Sequence, residues 1–277
     1  MSAAPPLITF LSDYGGMDEF VGVCHGVIAR RCPSARVIDL THRIPRHDVR
    51  TGASVLAGAL PYLPVAAVHL AVVDPGVGAV GPAARRAIAL RTAREDRLLV
   101  GPDNGLLMPS AEASGGVAEA VDIGRSPERL EPVSRTFHGR DIFAPVAAAL
   151  AAGAALAAVG EPLPAGSLRG LELPAARITD GALAAHVLRA DTFGNLILDA
   201  RAEQLAELGA RTGDALTVEH AGSRHAARYA LAFGDVAPGE LLLYEDALRT
   251  LALAVNRGSA ATELGVGPDD EIVLRGT

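Results

Sequence analysis

Lysine is missing from the 277 residues, so all 25 basic side chains are Arg. That absence excludes Schiff-base chemistry, a pyridoxal phosphate anchor and the lysine of a phosphate-binding P-loop. Tryptophan is also missing, and aromatic residues make up only 4 %. Ala, Val, Leu and Gly must therefore do the packing. The two cysteines, Cys24 and Cys32, form neither a metal-binding CxxC pair nor a disulfide framework. Cys24 falls on the apolar face of a predicted helix and reads as a buried thiol. No cluster of Arg with interleaved aromatics occurs, and the formal net charge is −7. Both features argue against a nucleic-acid partner. No apolar run is long enough to span a membrane, and MSAAPPLITF lacks a basic n-region and a long apolar h-region. The expectation is a cytoplasmic protein with no leader and no membrane partner.

What is present is an ordinary globular balance, 49 % hydrophobic and 21 % charged. The length suits one large domain or two modest ones. The first part alternates strand and helix patterns. Leu7–Leu11, Arg36–Leu40, Ala66–Val73, Arg86–Leu90, Leu98–Val100 and Ala118–Ile123 are predicted strands. Phe20, Val21, Val23, Cys24, Val27 and Ile28 share one helical face; Asp18 is placed to cap that helix and Pro33 to stop it. Asp48–Leu60 and Phe143–Ala158 are further predicted helices. The Pro- and Gly-rich stretch EPLPAGSLRGLELPAA, residues 161–176, reads as an interdomain linker. Beyond it, short β-like runs (among them Asn195–Leu198, Ala226–Ala232, Leu251–Val255 and Glu271–Leu274) are separated by turns, with Arg201–Leu208 as the only convincing helix. The expected fold class is an α/β N-terminal domain, a sheet flanked by helices, over residues 1–163. A linker follows over 164–178, then a smaller C-terminal β-barrel domain over 179–277.

Four polar clusters follow predicted strands: SDYGG with Asp13, VVDPGVG with Asp74, GPDNG with Asp103 and Asn104, and TFHGRD with His138, Arg140 and Asp141. Each has a bland reading as turn chemistry or a helix cap. Jointly they point to a site, because ligands collect at the carboxyl ends of strands in an open α/β sheet, and the four loops would meet along one sheet edge. Asp13, Asp74, Asp103 and His138 show no HxxH, HxD or DxD spacing, so no metal is expected among them. The GxGxxG of a dinucleotide fold and the GxSxG of a serine hydrolase are both missing.

FLSDYG, VIDLTH, VVDPGVG, GPDNGLL, TFHGRDIFAP, DTFGN and LALAVNRG occur in this order. Together they resemble the S-adenosyl-L-methionine (SAM) hydroxide adenosyltransferases, or SAM hydrolases, relatives of enzymes that attack the same substrate with fluoride or chloride. The resemblance runs from about Leu7 to Leu274. It implies a two-domain homotrimer with SAM held between the N-domain of one subunit and the C-domain of the next. It also implies hydrolysis of SAM to adenosine and methionine, by in-line attack of an activated water on ribose C5′, with SAM as substrate and no cofactor. Asp74, Arg85 and His138 match the family's Asp-Arg-His set, which the halide users lack. Asp74 or His138 takes a hydrogen bond from the water, and Arg85 favours developing hydroxide. Arg86 is the alternative arginine; it begins the next strand by alternation, which favours Arg85. Asp13 matches the residue that binds the ribose diol, and His47 and Phe137 flank the nucleoside. Asp191, Phe193 and Asn195 match residues that hold the methionine amino group and the adenine. Tyr244, Val255 and Asn256 lie in the segment on the adenine side.

Two departures stand out. The run AVGPAA between VVDPGVG and Arg85 is longer than expected, and Ala247 in YEDAL replaces an expected serine at the methionine end. The alternatives are a halide-dependent adenosyl transferase, making 5′-chloroadenosine, and a non-catalytic SAM- or adenosine-binding protein.

Overall fold

The computed structural model describes residues 5–276. Part of the stretch inspected for a leader, and the outermost bounds of the two expected domains, lie outside the described residues. The chain divides into two compact units, residues 1–171 and 172–277.

Unit 1 is a seven-stranded sheet in the order β2-β1-β3-β5-β4-β6-β7. The strands are β1 (Leu7–Ser12), β2 (Arg36–Thr41), β3 (Val68–Val72), β4 (Ala87–Thr92), β5 (Leu98–Pro102), β6 (Val117–Asp122) and β7 (Glu161–Leu163). Strands β2, β1, β3 and β5 are parallel; β4, β6 and β7 continue the sheet antiparallel. Residues 161–163, read above as the start of the linker, thus form the sheet's last strand. The middle of the sheet is buried on both faces, which explains its unbroken apolar runs. In β3, Val68, Leu70 and Val72 pack with Cys24 and Ile28 of helix α1 (Phe20–Arg31). On the other face Ala71 and the following Val73 pack with Ala53 and Leu56 of α2 (Val49–Ala59) and with Ala111 of α3 (Met108–Ala113).

Helix ends differ from expectation in physical detail. Asp48 caps α2, its carboxylate accepting from the Thr51 N–H at 2.8 Å. Asp18 does not cap α1: the N-cap is Glu19, with no side-chain bond to the helix. The predicted long helix at 143–158 is also interrupted. One π-turn, Gly139–Phe143, leads into α4 (Ala144–Ala151), and α5 (Leu156–Val159) is separate. Pro145 explains part of this. It has no N–H to offer the Asp141 carbonyl, which accepts instead from the Leu130 N–H at 2.8 Å. The Ala144 N–H reaches back five residues to the Gly139 carbonyl.

Unit 2 comprises β8 (Arg177–Thr179), β9 (Ala182–Ala190), β10 (Leu196–Leu198), β11 (Ala215–His220), β12 (Ser223–Tyr229), β13 (Leu241–Glu245), β14 (Leu251–Val255) and β15 (Glu271–Gly276). Their order is β10-β14-β13-β12-β11-β15-β9-β8, and a further pairing of β10 with β9 closes seven strands into a barrel, leaving β8 attached outside. Leu183, Leu198, Leu216, Val218, Leu253 and Leu274 belong to its buried core. Short helices α6 (Ala202–Glu207) and α7 (Ala260–Leu264) flank it; α7 was not foreseen. Among the described residues no helix is long and apolar enough to cross a membrane.

Candidate active site

Parallel pairing of β1 with β3 puts their carboxyl ends side by side, so Asp13 and Asp74 emerge at one sheet edge. The DPGVG loop then meets the segment ahead of His138. Gly78 has φ +72°, and a Cβ there would lie 2.1 Å from the Arg135 carbonyl oxygen, so only glycine allows the approach. A Cβ on Gly139 would lie 1.9 Å from the Tyr14 hydroxyl. That missing side chain is what lets Tyr14 rest against the π-turn.

These contacts assemble a buried network. Arg85 Nε donates to Asp74 Oδ1 at 2.8 Å, and Arg85 Nη2 bonds Asp74 Oδ2. Arg85 and Asp74 side chains are only 5 % and 7 % exposed. The same Nη2 lies 2.9 Å from His138 Nδ1. A guanidinium has no acceptor, so Nδ1 must accept, which makes His138 a neutral imidazole carrying its proton on Nε2. Burial, and secondarily Arg85, lower the His138 pKa below its ordinary 6.5, which agrees with a neutral ring. The Arg85 guanidinium also sits 5.3 Å from the Phe143 ring centroid. Arg86 points elsewhere, to Asp103 Oδ2 at 2.7 Å and to Ser167.

A cleft of about 290 Å³ borders the network, with Asp13, Tyr14, His47, Asp74, His138 and Gly139 in its lining. Asp13 Oδ2 accepts from the backbone N–H of His47 at 2.9 Å, and His47 is held at φ 66°. Phe137 packs edge-on against Tyr14 and Phe20, at centroid distances of 5.7 and 5.0 Å. Three of the ten aromatic residues (six Phe, four Tyr) are thus concentrated beside one cleft. Burial, together with nearby Cys24, Asp74 and Asp13, holds the Tyr14 pKa well above the ordinary phenol value, so its hydroxyl stays protonated. Tyr14, Phe20, Arg46 and Thr136 also border the cleft and were not singled out in the sequence. Tyr14 stood inside SDYGG and Thr136 inside TFHGRD, Phe20 was read only as part of a helical face, and Arg46 left no pattern. Asp18 is also in the lining.

The GPDNG loop does not join this network. Asp103 is buried, its Oδ1 accepts from the Arg169 N–H at 2.8 Å, and its other oxygen holds Arg86. Asn104 donates to the Val73 carbonyl at 2.9 Å. Both residues pin backbone. Arg140 and Asp141 pair with each other, and Asp141 accepts from the Ser134 N–H at 2.8 Å; they fix the loop and cap no helix.

Asp191, Phe193, Asn195, Tyr244, Val255 and Asn256 all lie in unit 2. Asp191 Oδ1 accepts from the Phe193 and Asn195 N–H groups at 2.8 and 2.9 Å, and Oδ2 from Asn195 Nδ2 at 2.8 Å. This turn presents Phe193 at 77 % exposure. Tyr244 packs on Phe233 at 5.1 Å, and burial, with Asp191 and Asp246, pushes its pKa up to about 12. Val255 is buried, and Asn256 donates to the Val236 carbonyl at 2.8 Å.

Comparison with known proteins places this geometry. The family described as SAM hydroxide adenosyltransferase N-terminal domain matches residues 8–160, and the corresponding C-terminal domain matches residues 185–273. An "(R)-S-adenosyl-L-methionine hydrolase" of Salinispora tropica is 52 % identical over 98 % of both chains, and one of Salinispora arenicola is 48 % identical over the same shares. A fluorinase of Actinoplanes sp. is more distant, 27 % identical over 74 % of each chain. A crystal structure of an uncharacterized conserved protein from Thermotoga maritima superposes with a TM-score of 0.91 at 39 % identity, covering 97 % of this chain and 99 % of that one. With both domains matched in order along the chain, the protein belongs to the SAM hydroxide adenosyltransferase family.

Proposed function

We propose that the protein hydrolyses SAM to adenosine and L-methionine, with the Asp74–Arg85–His138 network as its water-handling group. The observation that carries this reading is that Asp74 and His138 share one cleft wall and are joined behind it by Arg85, which bonds both and pairs with Asp74 almost out of solvent. The leaving group is a neutral thioether and needs no acid. The site must position one water in line with the C5′–S bond and accept one proton. His138 Nε2–H donates to the water oxygen. Asp74 uses two of its roughly four lone-pair sites on Arg85, so it retains acceptors for a water proton. As the C–O bond forms, the attached water becomes a strongly acidic oxonium; Asp74 takes its proton and passes it to solvent. No metal, cofactor or halide takes part.

Asp13 Oδ1 remains available for the ribose hydroxyls, and His47 and Phe137 border the nucleoside. In unit 2 the carboxylate of Asp191 retains one lone-pair site, enough for one N–H of the methionine ammonium. Phe193, Asn195, Tyr244, Val255 and Asn256 shape the adenine side. The enzyme acts as a homotrimer, in which the second unit of a neighbouring copy completes each site. It works in the cytoplasm, where both unpaired, buried thiols stay reduced.

The test is product analysis of purified protein with SAM, with and without chloride. Adenosine and methionine form in both buffers, and Asp74→Ala and His138→Ala abolish them. A chlorinated nucleoside, or bound SAM without product, overturns the reading.

A further inference from the structure

On the edge of the first sheet, three side chains converge that the reaction above does not use. His25 lies on α1, Asp39 on the edge strand β2, and His42 one residue past that strand. His25 Nε2 is 2.9 Å and His42 Nε2 3.0 Å from the same oxygen, Asp39 Oδ1. All three ligand atoms lie within 4.8 Å of one another. Two further observations separate this cluster from an ordinary surface ion pair. First, His42 Nδ1 is 2.7 Å from Ser12 Oγ, the outer-shell hydrogen bond that fixes a metal-binding imidazole and leaves its Nε2 to ligate. Second, His42 Nε2 is sealed from solvent, and its 3.0 Å contact with Asp39 Oδ1 does not reach good hydrogen-bond geometry. A ring nitrogen so placed, beside a carboxylate oxygen, is satisfied by a cation between them. Phe10, fully buried, supplies an apolar floor 4.6 Å from the His42 ring and 6.2 Å from the His25 ring. The His25 and Asp39 side chains are 35 % and 40 % exposed, which leaves an entry path.

We propose that His25, Asp39 and His42 bind one divalent transition-metal ion of the zinc class, with water completing the coordination. Two imidazoles and one carboxylate suit zinc, cobalt or nickel; the all-oxygen shells preferred by calcium and magnesium are not available here. The site adjoins the candidate cleft. Ser12 precedes Asp13, and the His42 carbonyl accepts from the Gly15 N–H at 2.7 Å, so the ion sits beneath the SDYGG loop. The proposal rests on these residues alone and stands whether or not the cleft turns over SAM.

The experiment is titration of the chelator-treated full chain with CoCl2, followed by visible d–d absorption, then by displacement with ZnCl2. One saturable equivalent with a four- or five-coordinate spectrum is expected. His25→Ala and Asp39→Asn each weaken it by at least about 10-fold, as does Ser12→Ala through the outer shell. Circular dichroism confirms that the variants are folded. His25→Ala and Asp39→Asn leave product formation from SAM at the unsubstituted level. No saturable cobalt binding overturns the proposal, as does binding that both His25→Ala and Asp39→Asn leave unchanged.

Discussion

Replacing Asp74 with Ala tests the network most directly, because stability and turnover respond differently. The pair is almost wholly buried, with a bidentate contact and side-chain exposures of 5 % and 7 %. Removing the carboxylate strands the Arg85 charge, and breaking a buried pair from one side costs about 3–5 kcal/mol. At about 2–4 °C per kcal/mol for a unit of this size, unit 1 melts roughly 6–20 °C lower. The double variant Asp74→Ala/Arg85→Met removes the stranded charge and keeps an apolar stem beneath Phe143. It should recover most of the lost stability, within about 1 kcal/mol of the unsubstituted protein. Turnover does not follow: kcat falls about 10²–10⁴-fold in Asp74→Ala and stays down in the double variant. Thermal melts and chemical denaturation give the four corners of the cycle, and product chromatography gives the rates. Two results would refute the reasoning. Additive losses in the double variant would mean that the charges are uncoupled. Recovery of turnover along with stability would reduce Asp74 to a structural anchor.

Three further outcomes follow from the same geometry. The acid limb of the kcat/KM profile lies below pH 6.5, because burial and Arg85 lower the His138 pKa and protonation of Nδ1 breaks its bond to Arg85; a limb at or above 6.5 counts against the assignment. Buried His69, bonded to Thr9 at 2.9 Å, has its pKa lowered to about 3 by burial and then by Arg97. The folded state therefore resists a proton that the unfolded chain accepts, so this contribution is complete above pH 6.5 and declines towards pH 3 by about 1.4 kcal/mol per pH unit. Denaturation between pH 6.5 and 4.5 should show a flatter slope in His69→Gln, by roughly one proton; equal slopes would contradict it. Gly139→Ala drives a methyl into the Tyr14 hydroxyl and should lower turnover at least about 10-fold by displacing the π-turn; Tyr14→Phe in the same chain restores part of it, and a fully active Gly139→Ala shows the contact to be slack.

The sequence was most informative where one physical rule acted alone. The unbroken apolar run before Asp74 announced a strand buried on both faces, and the two-residue alternation at Arg85-Arg86 sent neighbouring arginines to different partners. It misled where one residue type serves two purposes. Asp103 reads like Asp13 and Asp74, yet its turn faces Arg86 and the 167–169 segment, which no local pattern reveals. Asp18 looked like a cap because caps and cleft carboxylates have the same local signature. Pro145 suits the first turn of a regular helix, so the helix predicted over Phe143–Ala158 gave no sign of the π-turn before it or of the break after Ala151. The approach of His25 to Asp39 and His42 depends on how α1 lies over the sheet edge, which periodicity does not encode.

The π-turn also sets a phase. It packs one residue more than an α-helical turn would use between His138 and the helix that anchors it. Deleting that residue would tighten the π-turn to an α-helical one ahead of Pro145 and rotate everything upstream by about 100° around the axis. His138 would keep its neighbours in the chain and lose Arg85. The position of this imidazole is therefore held by residue count as much as by contacts. Gly139 apart, point substitutions along 139–143 should be tolerated better than any change in the segment's length.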